Sequence, residues 1–111
     1  MSKICLITGS TGFIGSKLLI LLDSLGYDIK LLSRRKVPNY RTIVSNFEKE
    51  SVPASALESV NIVFHLAGFS HDTRNPKKVM GLYQLINVHS TVAIAKLAVK
   101  QGVKRFVFVS S

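Results

Sequence analysis

Glycines 9, 12 and 15 stand three apart in Thr8-Gly9-Ser10-Thr11-Gly12-Phe13-Ile14-Gly15. The stretch follows the apolar run Ile4-Cys5-Leu6-Ile7 and precedes Lys17-Leu18-Leu19-Ile20-Leu21-Leu22. A glycine turn between a strand pattern and a helix pattern can hold a diphosphate on bare backbone amides. Unpaired N–H groups and the helix dipole at a helix N-terminus both favour negative charge. Side chains at 9, 12 and 15 would obstruct the ligand's approach or the helix's packing on the strand. The spacing is G-x-x-G-x-x-G, not G-x-G-x-x-G, and it carries no phosphate-loop lysine. A tight strand–helix turn without a ligand would use the same glycines. Their place between the two patterns, at the start of the chain, favours nucleotide binding.

Other candidate residues collect where further apolar runs end: Ser33-Arg34-Arg35-Lys36, Asn46-Phe47, His65-Leu66-Ala67-Gly68 and Ser110-Ser111. His65, at the end of a buried strand, is read as a packed or backbone-bonded histidine before a ligand or base. His71 and His89 are isolated, and no Cys/His/Asp spacing argues for a metal.

The elements that must position these groups follow from the periodicities. Residues 3–8 read as a strand, continuously apolar as befits burial on both faces. A helix follows, with Ile14, Leu18, Leu21 or Leu22, and Leu25 as its inner stripe and Gly26 closing it. Strands are expected at 28–33, about 41–45, 60–67 and 104–110, with a loop at 37–40. Pro53 suits the first turn of a short helix ending near Leu57–Ser59. Asn75-Pro76 starts a long helix, running to about Gln101, that Gly102 stops. On it Val79, Tyr83, Ile86 and Ala93 read as core, and Leu82, Leu85, Val92 and Leu97 as a second packing surface. This alternation predicts an α/β fold, a doubly wound parallel sheet of order 3-2-1-4-5. The binding crevice then lies at the carboxyl ends of the strands.

The 111 residues, 47% of them hydrophobic, suffice for one domain and leave no room for a second. Cys5 is the single cysteine and sits within the first strand, so it reads as a small buried hydrophobe in a reducing cytoplasm. The first residues do not read as a signal peptide and no apolar stretch reaches membrane length, so neither a leader nor a membrane span is expected. Fifteen Lys and Arg against six acids give a formal charge of +9, which favours anionic ligands. The cations are dispersed and not interleaved with stacking aromatics, so specific nucleic-acid binding is not expected. Non-specific binding through that charge stays as a third reading.

Four marks together make the chain resemble the extended short-chain dehydrogenase/reductase family, in its nucleotide-sugar epimerase/dehydratase branch. They are Thr8-Gly9-x-x-Gly12-x-x-Gly15, His65-Leu66-Ala67-Gly68, Tyr83-x-x-x-Asn87-Val88-x-x-Thr91, and Val103-Lys104-Arg105-Phe106-Val107-Phe108-Val109-Ser110-Ser111. The resemblance implies a Rossmann-like NAD(P)-binding domain over residues 1–111, truncated after its fifth strand, with the substrate domain absent. It implies cofactor contacts from Gly9, Ser10, Thr11, Gly12, Phe13, Ile14 and Gly15, from Leu66, Ala67 and Gly68, and from Asn87. Ser111 takes the position that hydrogen-bonds the substrate hydroxyl being oxidised. The family's Y-x-x-x-K does not occur, since Tyr83 is followed four residues on by Asn87. Hydride transfer needs a positioned acid/base beside the cofactor, so turnover by this chain alone is not expected. The other class of reading is a non-catalytic dinucleotide sensor or interaction module.

Two departures from the family bear on the cofactor. NAD users place an acidic residue at the end of the second strand to bond the ribose hydroxyls. Ser33 stands there, followed by Arg34 and Arg35, which can pair with a 2′-phosphate. NADP is therefore expected over NAD, against the plainer reading of a basic surface turn. Asn46-Phe47 replace the usual aspartate near the adenine, and Ser90 replaces a glycine before Thr91. The apolar last strand, 106–109, and the long helix's second face predict self-association.

Overall fold

The computed structural model describes residues 3–46, 51–66 and 76–109, with side chains from residue 88 onward in the last stretch. Phe47, Ala67, Gly68, Asn75, Ser110 and Ser111 lie outside the described residues. So do the side chains of Val79, Leu82, Tyr83, Leu85, Ile86 and Asn87.

Five strands form: β1 (Ile4–Thr8), β2 (Asp28–Ser33), β3 (Arg41–Val44), β4 (Ile62–His65) and β5 (Arg105–Phe108). All pair in parallel in the order β3-β2-β1-β4-β5, as the sequence predicts. Thr8 is level with Leu32 and His65, and His65 with Phe108, so the strand ends carrying the candidate residues share one edge of the sheet.

Alternation along the strands divides the core into two layers. Cys5, Ile7, Ile29 and Leu31 join Leu19 and Leu22 of α1 (Phe13–Ser24) on one face. Leu6, Leu32 and Val63 join Ala56, Leu57, Val60 and the Ile94 and Ala98 of α2 (Pro76–Lys100) on the other. Burial also pushes the Cys5 thiol up, which suits an inert packed cysteine.

Three expectations are corrected. The inner stripe of α1 is Gly15, Leu19 and Leu22 with Leu18 packed beside it, so the Leu18 and Leu22 expectations hold, whereas Ile14, Leu21 and Leu25 are exposed. Gly15 must face the turn after β1, and that contact rotates the other apolar stripe onto the flank. Residues 54–56 make one 3-10 turn with Pro53 extended ahead of it, not a helix with Pro53 inside. On α2, Ser90, Ile94 and Ala98 point inward, Ala93 is exposed, and Leu97 packs against the core instead of a second surface.

Lys30 is buried in mid-sheet, a fate its sequence position does not announce. Its Nζ donates to the carbonyls of Ser55 and Glu58, so the ammonium caps the 3-10 turn from below. Desolvation, and then the Arg41 charge, hold its pKa below the usual lysine value.

Candidate functional site

The turn between β1 and α1 is built on two glycines with different jobs. Gly9 takes a left-handed φ of 77°, and its carbonyl accepts from the Gly12 N–H at 3.1 Å. A Cβ on Gly15 would lie 1.9 Å from Gly9 O and 2.7 Å from its carbonyl carbon, so the fold itself demands glycine there. A Cβ on Gly12 would meet Gly9 O at an ordinary 3.4 Å, with φ −78° open to any residue. Packing therefore does not explain a glycine at 12.

Gly12 is the N-cap of α1, with no side-chain cap and no acid in the first turn. The first helical bond is Ser16 N–H to Gly12 O, at 2.9 Å. The amides of Phe13, Ile14 and Gly15 come before it and have no carbonyl one turn back. Thr11, Gly12, Phe13 and Ile14 are exposed around this end, and Lys17 Nζ lies 5.0 Å over the Phe13 ring. Ser10 is buried, and its Oγ has no hydrogen-bond partner among the described residues. An oxyanion would satisfy both the hydroxyl and the amides.

Beside the turn, His65 is fully buried between three elements. Its Nδ1 lies 2.7 Å from Thr8 Oγ1 on β1, and its Nε2 lies 3.0 Å from Thr91 Oγ1 on α2. Thr8 Oγ1 also accepts the Leu66 N–H at 3.1 Å. The ring stacks on Phe108 at 5.7 Å, tilted 25°. Burial pushes its pKa down to about 4, so the imidazole is neutral at pH 7 and serves as a strut. The packed reading of His65 holds, with the Thr8 and Thr91 hydroxyls among its partners. Thr91 belongs to the third of the sequence marks, but its bond to His65 is not read from the sequence.

Ser33 is half-buried at the end of β2, and Arg34, Arg35 and Lys36 are all exposed beyond it. Asn46 follows β3, partly buried. The fold thus gathers the glycine turn, Leu66, Ser33–Arg35 and Asn46 at the carboxyl edge of the sheet, at the switch between β1 and β4 where such folds bind ligands. Among the described residues no group of three His, Cys, Asp or Glu could hold a metal, and no helix is long and apolar enough to cross a membrane.

A sequence profile of the NAD dependent epimerase/dehydratase family matches residues 5–111. The UDP-glucose 4-epimerase of Vibrio cholerae is 35% identical over 119 residues, covering 100% of this chain and 35% of that protein. The chain thus spans about a third of the length of this curated relative. Among solved structures, MoeE5 in complex with UDP-glucose and NAD superposes with a TM-score of 0.80 at 31% identity, covering 96% of this chain and 36% of that one. A short-chain dehydrogenase/reductase superfamily protein of Agrobacterium tumefaciens with bound NAD gives 0.80 at 28% identity, over 97% of this chain and 32% of that one.

Proposed function

We propose that this chain, which belongs to the NAD dependent epimerase/dehydratase family, is the dinucleotide-binding part of a nucleotide-sugar epimerase, dehydratase or reductase, with NADP preferred over NAD. The observation that carries the reading is the α1 N-terminus. Its amides are uncapped, and Gly12 is bare where packing would accept a side chain.

The amides of residues 13–15 and the Ser10 hydroxyl bind the diphosphate, with the helix dipole adding its field. Asn46 and Phe47 are assigned to the adenine, and Arg34 and Arg35 to the 2′-phosphate. Leu66, Ala67, Gly68 and Asn87 support the nicotinamide half, and Ser111 hydrogen-bonds the sugar hydroxyl. When bound, the nicotinamide supplies a hydride acceptor and donor. The substrate class follows from the relatives, one named a UDP-glucose 4-epimerase and another solved with UDP-glucose.

Calorimetric titration of NADP and NAD into the chain tests both parts. Saturable NADP binding, about tenfold or more tighter than NAD, is the expected result. Equal affinities would remove the 2′-phosphate reading. No binding of either by the folded chain would remove the dinucleotide reading.

A further inference from the structure

β2 and β3 are adjacent parallel strands, yet residues 34–40 alone connect them. A parallel pair ordinarily needs a crossover of about a dozen residues or more, usually a helix. Here a tight turn takes its place. Tyr40 N–H donates to Val37 O at 3.4 Å, with Pro38 second in the turn and Asn39 third at φ 71°, the type II pattern. Thr42 fastens the turn at both ends. Its Oγ1 accepts the Val37 N–H at 3.2 Å and donates to Tyr40 O at 3.1 Å. Val37 and Tyr40 pack against the core layer on the α1 side. Finally, the Tyr40 hydroxyl donates to Asp23 Oδ2, at 2.9 Å, on the last turn of α1.

Arg34, Arg35 and Lys36 therefore form a short exposed arch between two anchored points, Ser33 in the sheet and Val37 in the turn. The Asp23 carboxylate is engaged by a neutral hydroxyl. Lys36 Nζ donates back to Tyr40 O at 3.4 Å, whereas among the described residues no carboxylate pairs with Arg34 or Arg35, so their guanidinium groups stay open to an outside anion.

We infer that Tyr40 and Asp23 are positioning residues for cofactor selection: their hydrogen bond holds the 34–36 arch in the shape that receives a 2′-phosphate. A receptor ordered before binding loses less conformational freedom when the ligand arrives. Both residues act through the arch and touch no cofactor atom. The inference rests on the NADP reading above.

The test is calorimetric titration of NADP and NAD into wild type, Tyr40→Phe, Asp23→Ala and the double variant. Tyr40→Phe keeps the packed ring and removes only the hydroxyl. NADP affinity is expected to fall about two- to tenfold, the reach of one hydrogen bond, with NAD affinity unchanged. The double variant should lose no more than either single one, because both break the same bond. If wild type prefers NADP and neither variant changes the NADP/NAD ratio, the positioning role is wrong. Equal losses for both cofactors would overturn it too, as damage to the domain at large. A wild type that binds both cofactors alike overturns the NADP reading itself, and this inference with it.

Discussion

The imidazole Nδ1 of His65 lies 2.7 Å from the hydroxyl of Thr8, joining the last residue of β4 to the last residue of β1. Thr8 is the residue before the glycine turn, and the far side of the ring reaches Thr91 on α2. The cradle of the proposed cofactor site is thus braced by a buried, neutral base.

That brace predicts acid sensitivity. An unfolded histidine titrates near its ordinary value of about 6.5, whereas burial holds folded His65 at about 4. Between these values the unfolded chain takes a proton that the folded one excludes. Stability is therefore fully present above pH 6.5 and falls as the pH drops toward 4, by about 3 kcal/mol in all. Urea denaturation across this range, for wild type and His65→Gln, measures it. The carboxylates titrate in both proteins and cancel in the difference. Parallel curves would show that His65 is not the group responsible.

The glycines separate folding from binding. Gly15→Ala drives a Cβ into backbone atoms of Gly9, which cannot swing aside as a side chain could. A loss of about 3 kcal/mol is expected, at the upper end of overpacking costs. Gly12→Ala has room within the fold, and its stability should stay within about 0.5 kcal/mol of wild type. In the proposed cradle a methyl group at 12 would crowd the diphosphate, so cofactor binding should weaken about tenfold or more. Denaturation and calorimetry on the two variants check the pair. A Gly12→Ala protein that binds cofactor normally would end the argument for that cradle.

Much of this site is legible in the sequence because its signals are local. Three glycines at fixed spacing announce the turn, and apolar runs alternating with helical stripes announce the strand order. The rotation of α1 is not local. Periodicity favours Ile14, Leu18, Leu21 or Leu22, and Leu25, and only the approach of Gly15 to Gly9 selects Leu22 and brings Leu19 inward. Lys30 is likewise unreadable, since its partners Ser55 and Glu58 lie on a turn that reaches β2 only after folding. Thr91 finds His65 across 26 positions. Tertiary contact, rather than propensity, decides all three.

Cofactor choice can be shifted without any turnover. Arg34→Ala and Arg35→Ala would each remove one of the proposed charge-assisted pairs, worth about 1.5–3 kcal/mol when desolvated and less when exposed. NADP affinity should fall about tenfold, while NAD affinity should barely change. Ser33→Asp places a carboxylate at the end of β2, which repels a 2′-phosphate and can bond free ribose hydroxyls. It should move the preference the same way. Should the arginine variants lose both cofactors equally, these residues do not read the phosphate.

The outer edge of the sheet carries the last prediction. Among the described residues β5 is bonded to β4 on one side only, and Val107, Phe108 and Val109 are 38, 50 and 39% exposed. A short apolar edge strand with open backbone donors and acceptors is a template for another strand. The net charge of +9 opposes association at long range, and salt screens it within about 10 Å at ordinary ionic strength. The chain is therefore expected to self-associate as concentration rises, and more readily at higher salt. Val107→Lys puts a charge on that edge without touching the Phe108–His65 stack, and should restore the monomer. Sedimentation velocity on both proteins at low and high salt decides. A wild type that stays monomeric at high concentration and high salt, or association that Val107→Lys leaves unchanged, would rule out the β5 edge as the contact.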